Sequence, residues 1–222
     1  MIDLDLEYLR DHLNAAKLVP FPWEGEDRNL AAFRSKNELV SWYSQPPGVE
    51  NQPYRDRGFY CRELATLSRL VQPRTVVEFG TSLGIGTCLL YWLNPKARLI
   101  TVDVNTETFL PGDVRVPMGH LAKYQQIPCE YITMESWLWS NLDVDLCFID
   151  ADHSYNSVFM DSDRALRNLP TDHRWAIAWH DYNKMHIGVV DAVTEFCALN
   201  HMLLQSRPDS DTIWVEGGFN AA

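Results

Sequence analysis

From residue 58 onward the sequence alternates short apolar runs with segments of helical period, and this alternation constrains the fold more than any other feature. YCRELATLSRLV (60–71) has helical spacing, and TVVEF (75–79) reads as a strand between Pro73 and Gly80. IGTCLLYWL (85–93) is helical, ARLITVDV (97–104) a strand, MGHLAKYQQI (118–127) a helix and CEYITM (129–134) a strand. SWLWSNL predicts a short helix, VDLCFID (144–150) a strand, SVFMDSDRALRNL (157–169) a helix, WAIAWHD (175–181) a strand and GVVDAVTEFCAL (188–199) a helix. Strands that are apolar almost without a break, separated by helices, imply a parallel sheet covered on both faces. MLLQSR and TIWVE close the chain as an antiparallel pair. The expected fold is α/β, with a doubly wound, mostly parallel sheet.

In such a sheet ligands sit beyond the carboxyl ends of the strands, near the point where strand order reverses. That rule brings the ends of VVEF, TVDV, FID and AWHD to one rim. Two of those ends are acidic knots. FIDADHSY (148–155) runs an apolar strand into Asp150, Asp152 and His153, and WAIAWHDYN (175–183) ends in His180 and Asp181. Asp152 reads rather better as a helix N-cap or turn residue than as a site residue. For His180 a structural hydrogen bond and metal ligation both fit. His186 and Tyr155 are compatible with substrate contact and with packing.

The loop Glu78-Phe79-Gly80-Thr81-Ser82-Leu83-Gly84-Ile85-Gly86 lies between a strand and a helix, where glycines let a backbone approach a ligand closely. Its spacing is not GxGxxG, so the dinucleotide fingerprint is absent. Glu78 at the strand end disfavours a pyrophosphate and suits a cation or an amine. Asp103 ends the next strand, where ribose hydroxyls are expected in this fold. The pair suits a nucleoside that carries positive charge and no phosphate.

EFGTSLG followed by an acid at the second strand end, then FIDADHSY, WHDY and GVVDAVTEF, resembles the class I S-adenosylmethionine-dependent methyltransferases. The branch it looks like is the metal-dependent small-molecule O-methyltransferases, catechol- and caffeoyl-CoA-like, including the sugar O-methyltransferase and cephalosporin hydroxylase-like proteins. The resemblance covers residues 58–217 and implies a Rossmann-like seven-stranded sheet with a reversed last strand. It implies that Glu78, Gly80, Thr81, Ser82 and Gly84 hold the methionine part of S-adenosylmethionine, with Ser82 standing where many members have glycine. It implies that Asp103 binds the ribose and that Met134, Glu135 and Ser136 flank the adenine. Asp150 matches the first metal-ligand aspartate and borders the cofactor; Asp181 matches the second. The third ligand departs from the family pattern: Tyr182 stands where catechol-type members have asparagine, leaving His180 or Asn183. His153 matches the position of a catalytic lysine or histidine.

The implied chemistry is methyl transfer to a hydroxyl of a small molecule, sugar or phenol-like, with Mg²⁺ or another divalent cation and a histidine base. In-line displacement needs an aligned oxygen that has lost its proton. Carboxylate-held Mg²⁺ lowers the hydroxyl's pKa and imidazole accepts the proton; hence Asp150 and His153 are the catalytic candidates. Two rivals remain: a metal-dependent glycosyltransferase using Asp150 and Asp152, and a cofactor-binding homologue without catalysis.

Composition bounds the partners. The 222 residues carry a formal net charge of −11, which disfavours a nucleic-acid backbone. No apolar run approaches the roughly 18 residues of a membrane span. Five scattered cysteines, Cys61, Cys88, Cys129, Cys147 and Cys197, suit reduced thiols and a cytoplasmic location. Residues 1–57 divide from 58–222, the expected methyltransferase domain: a helix over 3–18 leads into an arm or lid rich in Pro, Gly and aromatics. Trp23, Phe33, Trp42, Tyr43 and Tyr54 either anchor that arm or wall a substrate pocket, and such an arm is compatible with a homodimer.

Overall fold

A computed structural model describes residues 3–44, 59–133, 142–208 and 210–218. Its sheet has seven strands: β1 (Thr75–Phe79), β2 (Arg98–Asp103), β5 (Glu130–Thr133), β6 (Leu146–Ile149), β7 (Trp175–Trp179), β8 (Gln205–Ser206) and β9 (Ile213–Gly217). Their order is β5-β2-β1-β6-β7-β9-β8. The first five strands in that order pair in parallel, and β9 runs antiparallel to both β7 and β8. The chain steps from β1 outward to β2 and later returns to β6 on the other side of β1. The strand order therefore reverses between β1 and β6, where their carboxyl ends lie side by side.

Helices cover both faces. On one face are α4 (Phe59–Val71) and α5 (Ile85–Leu93); on the other are α7 (Tyr155–Arg167) and α8 (Ile187–Leu199). The core splits accordingly. Val76, Leu146, Phe148 and Ala178 pack toward α4 and α5, while Val77, Phe79, Cys147, Ile149 and Trp179 pack toward α7 and α8. This is the period-2 alternation of strands buried on both sides. Trp179 is fully buried, and its indole N–H donates to Ser162 Oγ at 2.9 Å, which satisfies the one polar atom of the largest core side chain.

Elements fall close to the sequence expectations, with several differences. The predicted helix over 3–18 is α1 (Leu4–Ala15), started by the Asp3 side chain accepting from Leu6 N–H. The arm is structured: α2 (Arg28–Ala31) and α3 (Lys36–Tyr43) lie within it. Ser35 caps α3, and its hydroxyl donates to Glu38 Oε2 while Glu38 N–H donates back to it. Phe33 and Tyr43 are fully buried, with ring centroids 6.0 and 6.5 Å from Trp92 of α5. These two aromatics therefore anchor the arm to the domain; Tyr54 lies outside the described residues. Residues 105–117, given no element from sequence, form a hairpin of β3 (Glu107–Leu110) and β4 (Val114–Pro117). Gly112 and Asp113 turn it with φ of +84° and +58°. Of the MLLQSR segment only Gln205 and Ser206 pair, and the SWLWSNL segment falls almost wholly outside the described residues. The 118–127 segment keeps helix only over α6 (His120–Tyr124).

Candidate active site at the strand-order reversal

Backbone hydrogen bonds just past the strand ends extend the sheet into a rim. Gly80 N–H donates to Val102 O at 2.8 Å, Asp150 N–H to Phe79 O at 2.8 Å and His180 N–H to Ile149 O at 3.1 Å. Gly80 has φ +99°, and a Cβ there would lie 2.0 Å from the Asp150 carbonyl oxygen. Only glycine lets the β1 loop and the β6 loop approach this closely.

On the β1–β2 side, Glu78 is buried rather than facing the rim. Its Oε2 accepts from the hydroxyls of Thr87 and Thr101, and Thr81 Oγ1 is 2.6 Å from Thr101 Oγ1. The four side chains tie β1, β2, the glycine loop and the start of α5 together. Burial pushes the Glu78 carboxyl up to about 8, against those hydrogen bonds, and the Asp150 and Asp103 carboxylates push it further up. The group is then largely protonated at neutral pH, so its repulsion of a phosphate is weaker than its residue type suggests. Gly84 precedes α5 with φ +89°. Ser82, at φ +44°, occupies the left-handed region that glycine favours. Its N–H donates to Asp103 Oδ2 at 3.0 Å, and Asn105 N–H donates to Oδ1 at 2.9 Å. Asp103 is thereby fixed at the end of β2, beside the glycine loop. Glu135, Ser136 and Met134 lie outside the described residues.

On the β6–β7 side, His180 Nδ1 lies 3.2 Å from both Asp150 Oδ1 and Asp181 Oδ2. Its ring sits edge-on to Tyr60, with centroids 5.2 Å apart. Its Nε2 is 3.5 Å from Asp211 Oδ1. Asp181, at φ +60°, also approaches His153, whose Nε2 is 2.9 Å from Oδ2. Burial alone would lower the His180 pKa, but the bonds to Asp150 and Asp181 outweigh it and raise it well above the usual imidazole range. Burial would raise Asp181, yet its bonds from His180 and His153 hold it at about 2.

The donor set fits a divalent cation. One imidazole and two carboxylates present atoms within 4.8 Å of one another. The far nitrogen of His180 lies 3.5 Å from Asp211 Oδ1, an ion-pair distance too long or too misaligned for a hydrogen bond between the two, so the Asp211 charge acts on the imidazole electrostatically. Without an ion, a proton on His180 balances the two carboxylates. Among the sequence candidates for third ligand, the fold brings His180 to Asp150 and Asp181. Asn183 instead donates to Asp211 Oδ2 at 3.3 Å and accepts from Met185 N–H at 2.9 Å. Asp152 accepts from Ser154 Oγ, whose hydroxyl caps α7, and it joins no cation-holding group among the described residues. Tyr155 donates to Glu195 Oε2 at 2.9 Å.

The sequence reading does not single out Asp211, although a signal for it exists. Strand β9 is antiparallel to β7, with Ile213 opposite Trp179. An acid just before β9 must therefore arrive at the carboxyl end of β7.

No protein-family model and no curated protein matches the sequence. Solved structures resemble the fold over nearly its whole length. The cofactor-bound Rv0187 from MTB has a TM-score of 0.54 and 16% identity, with 88% of this chain and 91% of that one covered. The apo TDP-rhamnose 3′-O-methyltransferase of calicheamicin biosynthesis has a TM-score of 0.54 and 15% identity, covering 97% and 94%. The S-adenosylhomocysteine-bound methyltransferase from Podospora anserina has a TM-score of 0.51 and 13% identity, covering 93% and 91%. With its single antiparallel strand inserted beside β7 and helices on both faces, this chain has the Rossmann-like fold of these structures, two of which are methyltransferases.

Proposed function

We propose that the protein is an enzyme that transfers a methyl group from S-adenosylmethionine to a hydroxyl oxygen of a small molecule, sugar or phenol-like. One observation carries this reading. A glycine loop with a fixed carboxylate, Asp103, opens at the same strand-order reversal as the Asp150–His180–Asp181 group. The first half suits a cationic nucleoside and the second suits an acceptor oxygen. Two of the similar structures, a sugar O-methyltransferase and an S-adenosylhomocysteine-bound methyltransferase, support it.

In this reading Gly80, Thr81, Ser82 and Gly84 shape the loop for the methionine part, with Glu78 holding that loop from beneath, and Asp103 receives the ribose hydroxyls. Asp150, His180 and Asp181 hold a divalent cation, Mg²⁺ or another, and Asp211 orients His180. Such an ion lowers the pKa of an acceptor hydroxyl and fixes its direction. His153 accepts the hydroxyl proton. With Nε2–H donated to Asp181, the basic nitrogen is Nδ1, and the carboxylate both sets that tautomer and stabilises the imidazolium that forms. Five free cysteines suit work in the reducing cytoplasm.

Isothermal calorimetry with S-adenosylhomocysteine tests the reading. The wild type should bind, and Asp103→Ala should weaken binding by roughly 1.5–3 kcal/mol through lost charge-assisted hydrogen bonds. Binding of a nucleotide-sugar in place of S-adenosylhomocysteine would favour the glycosyltransferase alternative, although Asp152 accepts from Ser154 and does not join the group formed by Asp150, His180 and Asp181. A product assay separates catalysis from mere cofactor binding.

A further inference from the structure

A pair of imidazoles stands beside the cation group just described. The rings of His153 and His186 lie 4.1 Å apart, centroid to centroid, at 35°. Both turn Nε2 toward one carboxylate: that of His153 is 2.9 Å from Asp181 Oδ2, and that of His186 is 3.8 Å from Asp181 Oδ1. The three ligand atoms lie within 4.8 Å of one another.

The fold builds this pairing. His186 is the residue before α8, and its side chain makes no cap hydrogen bond. The first turn of α8 rests on the loop that carries His153. A Cβ at Gly188 would lie 2.4 Å from His153 O and 2.9 Å from Tyr155 N, so only glycine permits that approach. The two rings are thus held together from opposite sides, by a helix start and by a strand end.

Donor type decides what the pair can hold. Two imidazole nitrogens and one carboxylate oxygen favour borderline transition-series ions, whereas Mg²⁺ takes oxygen ligands and keeps its waters. Ligand–ion distances of about 2.0–2.2 Å in a tetrahedral site put neighbouring ligand atoms roughly 3.3 Å apart. The 2.9 Å from His153 Nε2 to Asp181 Oδ2 is close to that separation, and His186 Nε2 approaches the other oxygen of the same carboxylate at 3.8 Å. The geometry points to a second cation site formed by His153, Asp181 and His186, selective for a transition-series divalent cation such as Zn²⁺ or Co²⁺. It shares Asp181 with the first group but uses neither Asp150 nor His180. The His153 side chain is 42% exposed, so a fourth ligand can come from solvent.

Occupancy has a consequence that rests on the proposed methyl transfer. An ion on His153 Nε2 sends the ring's single proton to Nδ1. The imidazole then has no lone pair with which to accept a proton, and the site acts as an inhibitory one.

The test of binding is independent of that activity. Co²⁺ is the probe, because low-coordinate Co²⁺ bound by nitrogen absorbs visible light and Mg²⁺ and Zn²⁺ do not. Metal-free full-length protein titrated with Co²⁺ should develop a saturable band that Zn²⁺ abolishes and excess Mg²⁺ leaves in place. With excess Mg²⁺ present to fill the Asp150–His180–Asp181 group, His186→Ala should lose the band while its circular dichroism matches the wild type; His180→Ala should keep it. No protein-dependent band in the wild type overturns the proposal. So does a band that survives His186→Ala, including one that is lost only in His180→Ala, which places the ion on Asp150, His180 and Asp181. A His186-dependent band in a protein that fails to bind S-adenosylhomocysteine supports the site and defeats the methyltransferase reading, so the two failures are distinguishable.

Discussion

His153 Nε2 lies 2.9 Å from Asp181 Oδ2, joining two residues 28 positions apart that follow neighbouring parallel strands. The contact fixes the imidazole at the rim and gives it a tautomer. If His153 is the proton acceptor, His153→Ala should lower the single-turnover rate of methyl transfer by roughly 10²–10⁴-fold. S-adenosylhomocysteine affinity should stay near that of the wild type, since the loss is one of transition-state stabilisation. A variant that keeps wild-type chemistry would return His153 to a loop residue that merely pairs with Asp181.

Asp211 should matter without touching a reactant. Its Oδ1 faces His180 Nε2 at 3.5 Å, and its Oδ2 accepts from Asn183. Asp211→Asn keeps the shape and removes the charge that orients the imidazole. If Asp150, His180 and Asp181 hold the proposed cation, apparent affinity for it should fall roughly 10–100-fold, with partial rescue at high metal concentration. A cation titration curve identical to the wild type's would show that Asp211 only closes the β9 turn.

Much of this arrangement is legible in the sequence because burial writes strands plainly. LITVD, LCFID and WAIAWHD are apolar runs that end in a charge, and the parallel-sheet rule alone puts those charges on one rim. What is not legible depends on partners distant in sequence. Glu78 reads as an acid facing a ligand, yet Thr87 and Thr101 from two other elements take its carboxylate inward. Asp211 becomes visible only once β9 is known to insert beside β7. The arm's Phe33 and Tyr43 sit among prolines and glycines, which mask short helices that tertiary packing on Trp92 stabilises. The hairpin turn at Gly112 and Asp113 carries a Pro-Gly-Asp signal, but the short, largely exposed strands beside it lack the apolar run that marks the others.

Ser82 offers a test on stability. A serine at φ +44° carries strain on the order of 1 kcal/mol that glycine does not. The useful contact there, N–H to Asp103 Oδ2, belongs to the backbone and survives substitution. Ser82→Gly should therefore raise the unfolding free energy by no more than roughly 0.5 kcal/mol in urea denaturation, after the added unfolded-state entropy of glycine is subtracted. Destabilisation would mean that the Ser82 hydroxyl, 3.5 Å from Thr108 Oγ1, contributes more than the strain removes.

Glu63 predicts how stability varies with pH. It lies on α4, 2% exposed, with Oε1 3.8 Å from Arg207 Nε. Burial raises its carboxyl from 4.5 to about 7, more than Arg207 and Arg62 lower it. Glu78 is raised the same way, to about 8. A group whose folded pKa lies above its unfolded value contributes stability that is complete below the unfolded pKa and is lost as pH rises through the folded one. Both glutamates therefore make the protein less stable as pH rises from about 4.5 to 8. Asp181, held at about 2, acts oppositely but only below its unfolded value of 3.8, outside that window. The Glu63 share is on the order of 3–4 kcal/mol, at about 1.4 kcal/mol for each pH unit that separates its folded and unfolded pKa values. Glu63→Gln removes the titration while keeping the shape. Denaturant unfolding should find the variant and the wild type close at about pH 5, and the variant the more stable at about pH 8. An unchanged dependence of stability on pH in Glu63→Gln would mean that the Glu63 carboxylate ionises at its ordinary pKa, paired with Arg207 more closely than 3.8 Å implies.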